Sequence, residues 1–492
     1  MVFFHIPVNK NFRQYLCFQW RNKFYRWCVL PFGSNVSPYY FCKIVRCLIE
    51  YFRENGKKVV CYVDDFIVAD SSEDIEGTKS RVLNELSRLG WHINHEKSHL
   101  TPSHSAKFIG YIIDTNKQTD SVWLSIPKER LSKVKRDISR VLRKGTATAR
   151  ALARIAGQCI SMTKAVIPAK LLLRNLYRCI KQKSTWQDNL VIDKATERDL
   201  TWWWSALDHW NGRAFKSQCR EYVQMTTDAS LEGWGSNLMI ESGYQAQGFW
   251  DLDMMGKSSN HREIMAVYLS LISFLPNIKG KSVQVLTDNV STAAYINFQG
   301  GQSLDLSEVA TKIWSLALRH NITIKAKHLA GHLNTVADGL SRIPGQYEWS
   351  MHPRLFQYLD AVWGPHSIDR FASMNTTLCP RYNSLYLDPF TCNVDALHQS
   401  DWATENNFVN APIRLLDRVL EIICSQEAYA TVIAPAWRAK TWYQKLKELS
   451  IGPPIRLPQA SQFCIPHSIA MPEALKNYRW AWYAWRICGQ IS

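Results

Sequence analysis

The chain has 492 residues, 46% of them hydrophobic, with 20 Trp, 20 Tyr and 19 Phe, which excludes a disordered chain and requires more than one core. Its 59 Lys and Arg against 42 Asp and Glu give a formal charge of +17, which favours an anionic partner. No stretch reaches the roughly 18 apolar residues of a membrane span, and the thirteen Cys include no Cys-x-x-Cys pair, so neither a membrane anchor, a zinc ribbon nor a disulfide framework is expected.

In chain order, Met1-Val2-Phe3-Phe4 is apolar, but His5, Pro7, Asn9 and Lys10 interrupt it before a signal-peptide core forms. Reduced thiols and an intracellular place, cytoplasm or nucleus rather than secretion, follow as expectations. Leu30-Pro31-Phe32-Gly33-Ser34-Asn35 reads as a loop leading into a helix around Pro38 to Phe52. Val59 to Val68 then places Asp64 and Asp65 between two β-branched apolar runs, the pattern of a hairpin with both acids at its tip. Adjacent carboxylates each raise the cost of ionising the other, and a divalent cation with oxygen ligands, such as Mg²⁺, relieves that cost. A solvated acidic turn is the plainer reading of the pair. His92, His95 and His99 are spaced as zinc ligands on a helix would be, but the segment predicts a turn and a short strand, and no acid or Cys completes the set.

Lys128 to Lys183 holds sixteen Lys or Arg against two acids, Glu129 and Asp137, so most of the excess charge lies in one stretch. Leu131, Val134, Ile138, Val141 and Leu142 mark one helical face there, leaving Lys133, Lys135, Arg136, Arg140 and Arg143 for solvent or a phosphate backbone. A polar, Trp-rich connector containing Trp202-Trp203-Trp204 follows. Tyr222 to Asp228 alternates as a half-buried strand ending in an acid, with Gly233-Trp234-Gly235 as the turn after it. Glu263 opens a helix with the stripe Ile264, Val267, Tyr268 and Leu271. Val283 to Asp288 is a second strand ending in an acid, and Asn334 can cap a short helix carrying Asp338. Beyond Pro344-Gly345 the chain has many Pro, eight Trp and no strong periodicity.

The ordered set Leu30-Pro31-Phe32-Gly33, Tyr62-Val63-Asp64-Asp65, Leu89-Gly90-Trp91, Lys97 and Phe108-Ile109-Gly110-Tyr111 resembles the reverse transcriptases of retrotransposons. The resemblance implies a ferredoxin-like polymerase palm. In it Asp64 and Asp65 are catalytic metal ligands within the Tyr62 box, Pro31, Phe32 and Gly33 position template and nucleotide, Lys97 is the palm lysine, and Gly110 lies in the primer grip. Phe3 matches the bulky residue that excludes a ribose 2′-OH. The family's third palm Asp stands ahead of the segment matched by Phe3 to Pro7, in a place before Met1, so impaired polymerisation is expected of this polypeptide.

Thr227-Asp228-Ala229-Ser230, His261-Arg262-Glu263, Thr287-Asp288-Asn289 and Ala337-Asp338-Gly339-Leu340-Ser341-Arg342 resemble, in that order, the four-acid set of retrotransposon RNase H. This implies that Asp228, Glu263, Asp288 and Asp338 are catalytic and bind two Mg²⁺ ions, with Mn²⁺ as a substitute, roughly 4 Å apart for hydrolysis of RNA in an RNA–DNA hybrid. His328 is a weak further candidate. His366 to Ser373, Asn406 to Leu416 and Val432 to Trp437 resemble the adenine-methyltransferase-like domain of DIRS-type retrotransposons, although Asn410-Ala411-Pro412-Ile413 lacks the aromatic stacker and one Pro of that family's loop.

The expected architecture is α+β and α/β multidomain. Residues 1–115 form the palm, 116–185 a basic helical thumb, 186–220 a connector, 221–343 an RNase H-like α/β domain, and 344–492 a degenerate methyltransferase-like α/β domain. Expected partners are an RNA template, a DNA primer, an RNA–DNA hybrid and dNTPs, with no membrane. Two alternatives stay open: a catalytically silent nucleic-acid-binding relic, and a DNA adenine methyltransferase.

Overall fold

The computed structural model describes residues 2–115, 122–214, 221–241, 243–342, 349–466 and 480–490, which fall into two units, Met1–Gln218 and Cys219–Ser492. The expected breaks at 115/116, 220/221 and Pro344-Gly345 fall on or beside segments outside the described residues. Among the described residues no helix is long and apolar enough to cross a membrane.

In the first unit, apolar residues at helical spacing bury one face of α1 (Val36–Glu54), with Phe41, Val45, Leu48, Ile49 and Phe52 inside. The hairpin β1 (Lys58–Tyr62) and β2 (Asp65–Ala69) follows, then α2 (Ile75–Arg88), which adds Val82 and Leu86 to the same core. A four-stranded antiparallel sheet is built from β3 (Ser105–Phe108), β4 (Tyr111–Asp114), β5 (Trp123–Ser125) and the late strand β6 (Arg213–Ala214), in the order β6-β5-β4-β3.

Between β5 and β6 run α3 (Lys128–Lys144), α4 (Ala149–Ile160), α5 (Arg174–Lys181) and α6 (Lys194–Ser205). The apolar face of α3 is buried as its spacing predicts, and Asp137 joins it, paired with Arg140 at 3.4 Å and Arg154 at 3.7 Å. The Trp-rich segment read as a connector contributes directly to this core. Leu200, Trp203 and Leu207 are fully buried in it, and Trp203 Nε1 donates to the Leu172 carbonyl at 2.9 Å.

The second unit contains two five-stranded sheets. The first comprises β7 (Tyr222–Ala229), β8 (Gly233–Met239), β9 (Tyr244–Phe249), β10 (Ser282–Thr287) and β11 (Thr323–His328). Its order is β9-β8-β7-β10-β11, antiparallel across the first three strands and parallel from β7 onward. The helices α7 (Ser259–Ser273), α8 (Val290–Asn297), α9 (Leu304–Arg319) and α10 (Thr335–Ser341) accompany it.

Two local readings change here. Central strand β7 is buried on both faces from Met225 to Asp228 rather than half-buried, because strands flank it and helices cover it. Gly233 and Gly235 belong to strand β8, not to a turn, and the turn is made by Ser230 to Glu232.

The second sheet gives the aperiodic C-terminal stretch its order. It comprises β12 (Ile368–Asp369), β13 (Asn406–Val409), β14 (Tyr429–Pro435), β15 (Ile455–Arg456) and β16 (Trp482–Cys488), in the order β12-β13-β14-β16-β15. The first three strands are parallel, β16 is antiparallel to β14, and α11 (Pro353–Trp363), α12 (Leu416–Ser425) and α13 (Thr441–Glu448) complete an α/β layer structure. The outer strand β9 of the first sheet meets this module: Gln247 N–H donates to the Leu387 carbonyl at 3.1 Å, and Asn375 Nδ2 donates to the Phe249 carbonyl at 2.8 Å.

A buried imidazole gives the second unit one acid-sensitive contact. His366 is 4% exposed, its Nδ1 lying 2.6 Å from Asp360 Oδ1 and its Nε2 2.8 Å from Thr431 Oγ1. Burial pulls the ring below its usual 6.5, helped by the Arg486 guanidinium and opposed by Asp360. The unfolded chain therefore takes up a proton that the folded ring refuses, and the contribution of His366 to stability falls as pH drops through 6.5. Because the raised Glu263 and Asp369 carboxyls stabilise the fold in the opposite direction, the effect is read as a difference: on going from about pH 7.5 to about pH 5.5 the urea midpoint of the wild type is expected to fall relative to that of His366→Gln. An equal difference in the two proteins would exclude His366 as the cause.

Candidate active site

The hairpin places its acids where the alternation predicts. Tyr62 pairs with Asp65, leaving Val63 and Asp64 as a two-residue loop with Val63 at φ +55°. Tyr62, Asp64 and Asp65 are all exposed. Phe3 and Phe32, matched to substrate-facing positions, pack ring to ring at 5.3 Å, and Phe3 also meets Phe41 at 5.5 Å. Pro31 is buried, its carbonyl accepting from Ser37 Oγ at 2.8 Å, while Phe32 stays 53% exposed. Lys97 is exposed.

Gly110 forms the β3–β4 turn with Ile109, at φ +79° and +42°, a left-handed pair that favours glycine. Its carbonyl accepts from Arg130 Nη1 at 2.5 Å, Arg130 Nη2 donates to Ser161 Oγ at 2.6 Å, and Tyr111 Oη donates to the Ser161 carbonyl at 2.5 Å. The turn is thereby tied to α3 and to the end of α4. Among the described residues Asp64 and Asp65 gather no third metal-ligating side chain, and neither do His92, His95 and His99.

The second constellation converges. Asp228 near the end of β7, Glu263 in the first turns of α7 and Asp288 just past β10 bring carboxylate oxygens within 4.8 Å of one another. The parallel pairing of β7 with β10 sets the two Asp side by side, and Ser258 caps α7 by accepting the His261 N–H at 3.3 Å. Glu263 is 5% exposed and its Oε2 has no hydrogen-bond partner. Burial first, then Asp228 and Asp288, push the Glu263 carboxyl up to about 8. Burial also raises Asp228, reinforced by Asp288 and Asp338 and opposed by a hydrogen bond from Ser341.

Three crowded carboxylates with an orphaned buried oxygen fit a hard divalent cation, Mg²⁺ or Mn²⁺, which would offset both the desolvation and the repulsion. Asp338 stands apart from the three. It is 40% exposed and accepts from Arg342 Nε at 2.6 Å, so it acts on Asp228 through its charge. His328 is exposed at the end of β11, directly across from Thr287 and so beside the Asp288 strand end.

Residue-type patterns missed the groups that dock α10. Asn334 does not cap the helix with its side chain. Its Nδ2 donates instead to the Thr227 carbonyl at 2.9 Å. Ser341 Oγ donates to Asp228 Oδ2 at 2.6 Å. The available signal was the Asp338 to Ser341 spacing, close to one helical turn, which puts both on the side of α10 that meets the strand.

In the C-terminal sheet, Asn410 to Ile413 leaves the carboxyl end of β13, where open α/β sheets bind ligands. The end of β12 is already occupied by its own chain. The Asp369 carboxylate accepts the Phe371 N–H at 3.3 Å and the Leu378 N–H at 3.4 Å. Arg370 is fully buried against Asn383, Asn407 and Asp401.

Residues 1–113 match the family described as reverse transcriptase (RNA-dependent DNA polymerase). The retrovirus-related Pol polyprotein from transposon opus of Drosophila melanogaster is 24% identical over 340 residues, covering 65% of this chain and 31% of that protein. The Gag-Pol polyprotein of koala retrovirus is 30% identical over 133 residues, or 25% of this chain and 8% of that protein. The chain thus spans less than a third of these relatives. A solved foamy viral protease–reverse transcriptase in complex with an RNA/DNA hybrid aligns over 71% of this chain and 46% of its own, at 17% identity and a TM-score of 0.39.

Proposed function

We propose that the chain acts on RNA and DNA together, and that residues 221–343 hydrolyse the RNA strand of an RNA–DNA hybrid; the match of residues 1–113 to the reverse transcriptase family and the similarity to a transposon Pol polyprotein support this reading. The observation that carries the nuclease reading is the meeting of Asp228, Glu263 and Asp288 within 4.8 Å. These three residues would hold a divalent cation, and Asp338 at the rim would add charge for a second. When bound, such cations supply activation of a water and stabilisation of the leaving oxygen. The chain's own residues fix the carboxylates, keep Glu263 and Asp228 away from bulk water, and leave Asp338 open to the substrate side.

Mg²⁺-dependent release of fragments from a labelled RNA–DNA hybrid, stopped by EDTA, tests this proposal. Binding of the hybrid without cleavage would instead favour the silent relic, which the basic face of α3 also supports through phosphate contacts.

For the polymerase segment, RNA template, DNA primer and dNTPs are the proposed partners, with Asp64 and Asp65 as its metal ligands. Primer extension on an RNA template tests this reading, and extension unchanged in Asp64→Asn would reject Asp64 as a metal ligand. DNA adenine methylation by residues 344–492 has less support, because Asn410 to Ile413 lacks the aromatic stacker and the Asp369 carboxylate at the β12 end is engaged by the N–H groups of Phe371 and Leu378.

A further inference from the structure

We propose that Ser341 is a positioning residue that presents Asp228 to the divalent cation, and that α10 is docked chiefly to deliver this hydroxyl. The proposal rests on the nuclease reading above and deepens it. Ser341 is 2% exposed, and its Oγ donates to Asp228 Oδ2 at 2.6 Å. That bond restricts rotation of the carboxylate and leaves its second oxygen for the cluster with Glu263 and Asp288.

The helix is fastened on both sides of Asp228 in the chain. Asn334 Nδ2 reaches the Thr227 carbonyl at 2.9 Å, and Ser230 Oγ donates to the Ser341 carbonyl at 2.7 Å. Gly235, directly across the ladder from Asp228, lets the helix backbone approach, since a Cβ there would lie 2.5 Å from the Ala337 carbonyl and 2.6 Å from the Ser341 nitrogen. The next residue, Arg342, holds the rim acid Asp338. Consecutive residues at the end of one short helix therefore each orient one acid.

A hydroxyl that only glued the helix to the sheet would affect stability and leave cation affinity alone. A hydroxyl that sets the Asp228 rotamer changes affinity, and outer partners of this kind typically contribute about 10–100-fold. The test is calorimetric titration of the full chain with Mg²⁺ alone, without nucleic acid, every chain compared carrying Asp64→Asn and Asp65→Asn so that the palm acids do not contribute. Ser341→Ala is expected to bind Mg²⁺ about tenfold more weakly than the wild type, with an unchanged circular dichroism spectrum. Wild-type affinity in Ser341→Ala, whatever its urea midpoint, would overturn the proposal.

If Ser341→Ala fails to fold, Ser341→Cys, which keeps the shape but offers only a weak donor, carries the test. A loss of about tenfold supports the proposal, and affinity within about threefold of the wild type overturns it. A wild-type chain that binds no Mg²⁺ would overturn the nuclease reading itself, a result distinct from either of these.

Discussion

Asp288→Asn is expected to lower hybrid cleavage by about a thousandfold or more, because a lost cation ligand removes several kcal/mol of charge stabilisation and about 4 kcal/mol corresponds to that factor. The substitution keeps the size of the side chain and its place just past β10. The helix that follows does not depend on it, since Asn289 Oδ1 caps α8 by accepting the Thr292 N–H at 2.8 Å. Removing one negative charge also relieves Glu263, whose carboxyl is raised partly by Asp288. The cation-free variant should therefore unfold at a urea concentration no lower than the wild type does. Cleavage of a labelled hybrid and the urea midpoint together check the pair of outcomes. Cleavage at the wild-type rate would remove Asp288 from the site.

Gly235→Ala is expected to cost about 3 kcal/mol and to reduce cleavage with it, the upper part of the usual range for overpacking. The added methyl would stand 2.4 Å from Leu340 Cβ, 2.5 Å from the Ala337 carbonyl and 2.6 Å from the Ser341 nitrogen. Two of those neighbours are backbone atoms of α10, so a side-chain rotation cannot relieve the clash. The helix must lift from β8, taking with it the Ser341 contact to Asp228. Gly339→Ala on the same helix is the control. Nothing lies within 4 Å of its added methyl, and a helical Gly→Ala change stabilises by about 0.5–1 kcal/mol. Urea midpoints of the two variants should move in opposite directions; a neutral Gly235→Ala would show that α10 does not press on β8.

The sequence alone identified the acids. Asp228 and Asp288 lie at the ends of strands with legible apolar patterns, Glu263 lies in the first turns of a helix with a clear stripe, and Asp64 and Asp65 sit between two β-branched runs. Such patterns are local and survive in one dimension. The burial of Trp203 was also within reach, because Leu200, Trp203 and Leu207 recur at helical spacing. The C-terminal sheet was not: its strands are only two to seven residues long, and β14 and much of β16 are buried on both faces, so no period of two survives.

What only the tertiary structure decided is which acids meet. Parallel pairing of β7 with β10 brings together residues sixty positions apart, and the same geometry leaves Asp338 at the rim with Arg342. Ser341, Asn334 and Gly235 have their roles only because α10 lies on β7 and β8. Strand ends and helix starts are set by neighbours along the chain, whereas a shared cation site depends on how strands order within a sheet, through contacts that no short window of residues contains.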